Sequence, residues 1–342
     1  MQNKIKKLTL LLVILAGGLA ARDAAAQSKV GTSSAAFLGI SIGPRAVAMG
    51  GAFTAMDGDA SALYYNPGSI VRMGKSQFVF SHTNWIVDTN LNWIGLVLML
   101  NSSNAIGLSI TQLDYGEEEV TNVYQPEGTG ELWTAGDLAI SLSYSRMLTD
   151  RFSIGGSAKY IQQRLWNESA SAFAIDVGLL FITDFNGMRI GMSISNFGND
   201  MRMEGKDLLK RIDIDPEHLG DNETIVGNLK TNSWPLPLFF RVGVSMDVIK
   251  VGRSKLTLAA DAFRPSNNSG SVNLGGEFSF SNMFFVRGGY KSLFLESAEE
   301  GLTAGIGVNV PMSSGYTWCV DYTYMDFGVF DNVKMISASV KF

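Results

Sequence analysis

Cysteine, proline and charged residues are scarce in this chain of 342 residues. The single cysteine, Cys319, excludes an internal disulfide and a cysteine-rich metal site. Charged residues make up 17% of the chain and its formal net charge is -5, which excludes nucleic acid as a partner, because binding to phosphates needs a concentrated basic surface. A hydrophobic share of 46% also excludes a disordered chain, since this much apolar surface can be buried.

Long apolar runs are also missing after the N-terminus, so the chain does not resemble a multi-helix membrane protein, whose spans need about 18 such residues. The N-terminus itself has three lysines, an apolar stretch from Leu8 to Leu19, and small residues from Ala24 to Ala26. This order is typical of a secretory signal peptide. We therefore predict that residues 1–26 are removed and that the mature protein leaves the cytoplasm; a short signal anchor is the alternative.

From Ser76 onward, segments of about ten residues alternate between apolar and polar side chains, and each segment ends at a break. Because successive strand side chains point to opposite faces, each segment has one apolar and one polar face. We predict about fourteen strands, an even number as in bacterial outer-membrane barrels. They lie near residues 76–82, 91–100, 104–113, 134–147, 151–163, 169–183, 188–197, 237–249, 254–263, 271–280, 283–291, 302–310, 316–325 and 333–342.

The breaks alternate between short turns and longer loops, the longest near 198–236. A transmembrane barrel has short turns on its periplasmic side and long loops outside. We therefore predict an all-β fold: a transmembrane antiparallel β-barrel over residues 75–342, in the outer membrane of a Gram-negative-type bacterium. The aromatic C-terminal residue, Phe342, is predicted to be the signal for the barrel assembly machinery. A secreted sandwich or propeller is the competing all-β interpretation.

Charged residues in the middle of the strands favour the barrel, because all of them fall on the polar parity. We predict that they line the lumen: Asp176, Arg189, Arg241, Asp247, Asp261, Glu277, Arg287 and Asp321. Aromatic residues near strand ends are predicted to face the membrane interfaces: Trp93, Trp133, Tyr144, Tyr160, Trp318, Tyr322 and Tyr324.

The segment between the signal peptide and the first strand is rich in small residues and turns. A barrel of about fourteen strands is wider than side chains alone can fill, so residues 27–74 are predicted to form an N-terminal plug or hatch. Gly50 and Gly51 permit positive φ or close backbone approach, and Asn66-Pro67 favours a turn. Arg45 is expected to pair with Asp57 and Asp59 inside the bore. A calcium site at the two aspartates is the sharper alternative, although it lacks further oxygen ligands.

The same segment carries a family resemblance. Gly43-Pro44-Arg45-Ala46-Val47-Ala48-Met49-Gly50-Gly51-Ala52-Phe53, followed by Asp57-Gly58-Asp59-Ala60-Ser61-Ala62 and Asn66-Pro67-Gly68, resembles the N-terminal motif of PorV/PorQ-like outer-membrane proteins, which are relatives of FadL-type transporters. The resemblance implies a 14-stranded barrel with an internal hatch. FadL relatives pass hydrophobic molecules, and PorV relatives of the type IX secretion system bind the C-terminal signal domain of exported proteins.

Enzymatic function is not expected, because His82 and His218 are the only histidines and both are predicted near loops. We also expect no cofactor. The function that we predict is a gated conduit or docking platform for hydrophobic ligands; the alternative is a type IX secretion component. The expected partners are outer-membrane lipid, the barrel assembly machinery, and a hydrophobic ligand or a secreted protein's C-terminal domain.

Overall fold

A computed structural model describes residues 30–213, 217, 225–296, 298–313, 315–330 and 332–342. The predicted signal peptide and His218 lie outside these residues. Within them, fourteen strands form one closed antiparallel sheet, which confirms the predicted barrel. No helix in the described part of the chain is both long enough and apolar enough to span a membrane.

The barrel strands follow one another around the sheet in chain order. They are β1 (Gln77–Asn84), β2 (Asn90–Asn101), β3 (Asn104–Glu119), β4 (Leu132–Thr149), β5 (Phe152–Leu165), β6 (Glu168–Ile182), β7 (Arg189–Gly198), β8 (Phe239–Val251), β9 (Ser254–Pro265), β10 (Ser271–Phe280), β11 (Phe284–Leu293), β12 (Leu302–Pro311), β13 (Thr317–Asp326) and β14 (Asn332–Lys341).

The ring closes where the first strand meets the last. Gln77 of β1 lies opposite Lys341 of β14 on one side and Val97 of β2 on the other. Phe342 continues this seam: its N–H donates to Ser76 O at 2.9 Å, and Ser76 N–H donates back to Phe342 O at 3.1 Å. The C-terminal residue therefore holds the two ends of the barrel sheet together.

The connections differ in length at the two ends of the barrel. At one end strands join through short turns, such as residues 102–103 and 252–253, and at the other end the β7–β8 connection spans 199–238. The described residues of this long connection form two small ribbons, Met201–Arg202 with Ser233–Trp234 and Leu209–Arg211 with Val226–Asn228, and one 3-10 turn, Lys206–Leu208. A further short strand, Glu204–Gly205, pairs with the start of β6. By the convention for outer-membrane barrels, the short-turn end is periplasmic and the long-loop end extracellular.

Side chains alternate between the two faces of the wall as the pattern predicts. Leu274, Phe278, Val320 and Tyr322 are exposed on the outside, and the polar residues between them are buried inside. Trp93 is an exception to the predicted aromatic positions, since it faces inward and is 1% exposed. Its strand is apolar on both parities, so alternation alone could not assign its face.

The hydrophobic core lies inside the barrel. Short helical turns, Ala36–Gly39, Pro44–Val47, Ala62–Tyr65 and Pro67–Arg72, fill the bore. Their apolar residues form one cluster with inward side chains such as Val79, Trp93 and Ile161. The interior therefore combines the predicted inward charges with an apolar core between the bore and the wall.

Candidate functional site

The N-terminal segment crosses the bore from one end to the other. At the long-loop end, Ser34 N–H donates to Pro235 O at 3.0 Å. At the short-turn end, Arg72 Nη1 donates to Asp150 O at 2.9 Å and Lys75 Nζ donates to Gly315 O at 2.8 Å. We call residues 34–75 the bore segment. Its two ends are thus fixed at opposite rims of the barrel.

Glycines of the motif bring the bore segment against the wall. Gly50 and Gly51 have φ of 65° and 76°, which L side chains rarely adopt. A Cβ atom at wall residue Gly289 would lie 2.2 Å from Gly50 N, and one at Gly275 would lie 2.3 Å from Met49 O. Backbone therefore packs directly on backbone at β10 and β11, and any larger residue at these wall positions would push the segment away.

A chain of four charged side chains, three buried and one half-buried, joins the segment to the wall. Arg45 donates to the two carboxylate oxygens of Glu277 through Nε and Nη2, at 2.8 and 2.9 Å. Arg287 donates to Glu277 at 2.7 Å and to Asp321 at 2.5 Å. Because each charge has a partner, the desolvation cost of burial is offset, and removing one partner would leave the other uncompensated.

The expected pairing of Arg45 with the motif aspartates is only partly right in its geometry. Arg45 Nη1 donates to the carbonyl oxygen of Asp57 at 3.1 Å, not to its carboxylate. The Asp57 carboxylate instead accepts from Arg189, at 3.0 Å, and Arg189 also binds Asp247 at 3.1 Å. The sequence could not choose among these partners, because inward arginines and carboxylates occur on several strands.

The charges of Arg45 and Asp59 stabilise each other. Burial opposes the charged form of both groups, yet the Glu277 carboxylate raises the pKa of Arg45 above its ordinary value. Arg45, Lys341 and a hydrogen bond from Ser61 hold the pKa of Asp59 below its ordinary value. The stabilisation from Asp59 is therefore present above its unfolded pKa and is lost as the pH falls through its folded pKa.

Nothing in this geometry assembles a metal site from the two aspartates. Asp57 pairs with Arg189, and Asp59 Oδ1 accepts the Ser61 N–H at 2.9 Å. Among the described residues, no group of three or more histidine, cysteine or acidic side chains could hold a metal ion.

Hydrogen bonds outside the ion pairs hold the rest of the bore segment. Asp261 Oδ2 accepts the N–H groups of Phe53 and Thr54 at 2.9 and 2.8 Å. Asn66 Nδ2 donates to Thr54 O at 2.7 Å and to Leu179 O of β6 at 2.8 Å. Its Oδ1 accepts Gly68 N–H at 3.0 Å, which begins the 3-10 turn that Pro67 starts.

Several contacts were not predicted. Thr323 donates to Pro44 O at 2.6 Å, Thr303 donates to Ala48 O at 3.1 Å, and Ser193 donates to Tyr65 O at 2.7 Å. Inward hydroxyls recur along many strands, so the sequence gives no signal for these three. The inward glycines are different. They lie where the segment comes closest to the wall, and a glycine on the inward parity of a strand is a signal that the sequence does show.

A second buried charged group lies toward the long-loop end. Lys159 pairs with Asp176 at 2.6 Å and donates to Asn196 Oδ1 at 2.9 Å. Asn196 has a φ of 66° and lies where the β6–β7 register shifts. Lys159 was missed in the sequence, although its inward parity would have identified it.

Arg241 is held by aromatic rings. It is 6% exposed and lies within 5.8 Å of four of them.

Space remains at the two ends of the bore. A polar cavity of about 250 Å³ lies at the short-turn end, against Arg45, Glu277, Asp321 and Lys341. A pocket of about 360 Å³ lies at the long-loop end between Thr32, Ser33 and strand residues including Phe197. Between them, bore-segment residues such as Ala46, Phe53, Ala60 and Ile70 are fully buried. The middle of the barrel is therefore packed.

His82 lies apart from this region. It is on the outward parity of β1, with Nδ1 2.8 Å from Asn92 Oδ1 and Nε2 3.0 Å from Asn84 Oδ1. Its neighbours are thus amide side chains.

Comparison with known proteins identifies the type of barrel. A family model described as "Type IX secretion system protein PorV" matches residues 23–209. No curated protein matches the chain. Among solved structures, the Ralstonia pickettii toluene transporter TbuX is 12% identical, covers 88% of this chain and 97% of its own, and has a TM-score of 0.53. The Pseudomonas putida toluene transporter TodX is also 12% identical, with 86% and 96% covered and a TM-score of 0.53. The CymD monoaromatic hydrocarbon channel is similar, at 12% identity, 88% and 96% coverage and a TM-score of 0.53. These similarities confirm the resemblance and the fold.

Proposed function

We propose that this chain, which belongs to the PorV family of type IX secretion system proteins, is an outer-membrane docking platform for secreted proteins. In this proposal its extracellular loops bind the C-terminal signal domain of an exported protein. The observation that carries the proposal is the packed bore: the bore segment occupies the barrel from rim to rim. Because the interior of the barrel is filled, a partner can bind to its extracellular loops but finds no free space in its middle.

The energetics of the bore segment support a platform over a conduit. Opening a path would separate Arg45 from Glu277 and Asp57 from Arg189 inside the barrel. Separation would leave the buried Glu277 carboxylate and Arg189 each without one of their partners, which is unfavourable in a site shielded from water. It would also release the two N–H groups that Asp261 accepts. A ligand would have to compensate for all of these contacts in order to pass.

The binding test uses the full chain in lipid nanodiscs and a purified C-terminal signal domain from a protein secreted by the same bacterium. We expect saturable binding that weakens when residues 200–232 of the long connection are shortened. The control is the same domain with nanodiscs that hold no barrel. Absence of saturable binding by the intact chain would overturn the proposed function.

A second candidate is uptake of hydrophobic molecules. The pocket of about 360 Å³ at the long-loop end favours it, because a small apolar molecule would fit between the N-terminal residues and Phe197. The TodX and TbuX similarity shows a shared fold and does not extend to the ligand. Proteoliposomes loaded with a toluene-binding dye would distinguish the candidates: barrel-dependent, saturable toluene entry supports uptake, and entry at the rate of empty liposomes supports the platform.

Both candidates act by binding, and we propose that the chain catalyses no reaction and needs no cofactor. We further propose that outer-membrane lipid surrounds its apolar wall and that the barrel assembly machinery inserts it through the C-terminal strand that ends at Phe342. Replacing Phe342 with Ser should then lower the amount of assembled barrel in the outer membrane, with the periplasmic chaperone-bound fraction as the complementary measurement.

A further inference from the structure

The hairpin of β3 and β4 extends beyond its neighbour at the long-loop end. Strand β2 begins at Asn90, opposite Asp114 of β3. Strand β3 continues to Glu119 and pairs there with β4, where Glu118 lies opposite Trp133. In the part of the chain that the structure describes, no strand pairs with the other side of β3 after Asp114. The β3–β4 register shifts between Asp114 and Glu117, so residues 117–119 form an open strand edge beyond that irregularity.

The backbone of this open edge points outward at two positions. Val120 N–H donates to Glu131 O of the hairpin at 2.8 Å. Backbone groups of alternate residues point to the same side of a strand, so Glu118 also faces β4. Glu117 and Glu119 then direct their N–H and C=O groups away from the hairpin. Such groups are what an added strand from a partner bonds to.

The stretch of chain that contains the open edge has charged residues of one sign only. From residue 76 to residue 145 the sequence has eight acidic residues and no lysine or arginine. They are Asp88, Asp114, Glu117, Glu118, Glu119, Glu127, Glu131 and Asp137. Glu117, Glu118 and Glu119 are all exposed on the open edge itself. A second copy of this chain would bring the same acids opposite them and would be repelled.

The tip of the hairpin exposes two neighbouring side chains that are largely apolar. Val123 is 93% exposed and Tyr124 is 94% exposed. Tyrosine is enriched at protein interfaces, because it combines a large apolar ring with a polar hydroxyl. The tip therefore offers apolar contact beside the acidic edge, a combination that suits a protein segment with basic and apolar side chains.

We propose that the open edge binds an extended segment of the secreted partner that carries lysine or arginine, and that this segment joins the hairpin as an additional strand. The inference rests on the proposed function and names the part of the platform and the chemistry of its partner. The partner segment is extended because the edge offers strand hydrogen bonds, and it is basic because its side chains lie beside three carboxylates. Specificity comes from both together.

The test uses the full chain in nanodiscs and a fluorescent ten-residue peptide in which lysine alternates with valine and threonine. A matched peptide has glutamate at each lysine position. Fluorescence polarisation should show saturable, salt-sensitive binding of the lysine peptide and at least about fivefold weaker binding of the glutamate peptide. Equal binding of the two peptides would overturn the inference.

Two sets of variants locate the interaction and separate charge from backbone. The triple variant Glu117→Gln, Glu118→Gln, Glu119→Gln should weaken the lysine peptide at least about fivefold. Glu119→Pro removes one outward N–H while keeping two of the acids, and edge strands accept proline, so it should weaken binding more than Glu119→Gln. The control triple Glu296→Gln, Glu299→Gln, Asp326→Asn removes three acids elsewhere at the same end. An equal effect of the control triple and the edge triple would overturn the inference.

The signal domain used for the proposed function then separates the two proposals. Strong domain binding that the edge variants leave unchanged overturns this inference and leaves the proposed function intact. Failure of the domain to bind any version of the barrel overturns the proposed function. If the edge triple and Glu119→Pro both weaken binding of the domain, the result supports the proposed function and this inference.

Discussion

At the scale of single residues, the close packing of the bore segment against the wall depends on wall glycines, which have no Cβ atom. Gly289 of β11 faces inward, and the preceding residue, Gly288, faces the membrane. A Cβ atom at Gly289 would lie 2.2 Å from Gly50 N, whereas one at Gly288 would have its nearest neighbour, Thr303 O, at 3.9 Å. The two glycines therefore form a matched pair for testing how the segment is held.

We expect Gly289→Ala to displace the bore segment locally and Gly288→Ala to leave it in place. The displaced atoms are backbone, which cannot rotate away as a side chain can. Planar bilayer recordings should show higher conductance or more frequent openings for Gly289→Ala than for Gly288→Ala. Heat-modifiable migration checks that both variants fold, and equal conductance of the two folded variants would contradict the expected displacement.

Glu277 is the residue on which the buried charges depend most, because Arg45 and Arg287 both bind it. Glu277→Gln removes the negative charge but keeps the shape, so Arg45 loses its carboxylate partner. We expect the free energy of unfolding, measured by urea titration, to fall by about 3–5 kcal/mol.

The control for this prediction is Glu131→Gln in the exposed β3–β4 connection, which should change the free energy of unfolding by less than about 0.5 kcal/mol. A loss at Glu277→Gln no larger than that of the control would show that the pairs contribute little to stability.

At the scale of the strand, the two faces of the wall differ in what they tolerate. Val320 of β13 is exposed toward the membrane. Asn309 of β12 lies opposite the neighbouring Cys319 and lines the polar cavity of about 250 Å³. Arginine at Val320 would put a charge against lipid at a cost of about 2–4 kcal/mol near the midplane, whereas arginine at Asn309 would enter a polar space.

We therefore expect Val320→Arg to reduce folding into lipid vesicles far more than Asn309→Arg, although both lie at a similar height. Tryptophan fluorescence during urea titration in vesicles measures the difference. Equal losses at the two positions would contradict the observed register of β12 and β13.

The strands and the faces of their side chains could largely be predicted from the sequence, because period-two alternation fixes which face of a strand is apolar. Strand number, the inward position of Asp176 and the outward position of Tyr322 all follow from it. It failed at Trp93, where both faces of the strand are apolar. The sequence predicts that Arg45 pairs with an inward carboxylate but not which one, because that depends on which strand faces the segment across the bore, and this is a property of the closed ring.

At the scale of the whole molecule, the backbone ladder of the barrel is complete without the bore segment, whose bonds to the wall involve side chains. Each barrel strand pairs with its two neighbours, and the sheet closes where β1 pairs with β14. The segment supplies the core of the interior. Deleting it would exchange that core for water, while the lipid-facing wall and the strand ladder would remain.

We expect a chain that lacks residues 40–70 to insert as a heat-modifiable barrel with reduced thermal stability and to conduct ions far better than the intact chain in planar bilayers. The reason is that the deletion removes the packed middle of the bore, which contains Met49, Phe53 and Leu63, and leaves inward charges such as Asp261 and Arg287 facing water. The control is Gly288→Ala in the full chain, which should conduct as the intact protein does. A folded deletion barrel that conducts no better than this control would mean that the loops, and not the bore segment, close the barrel.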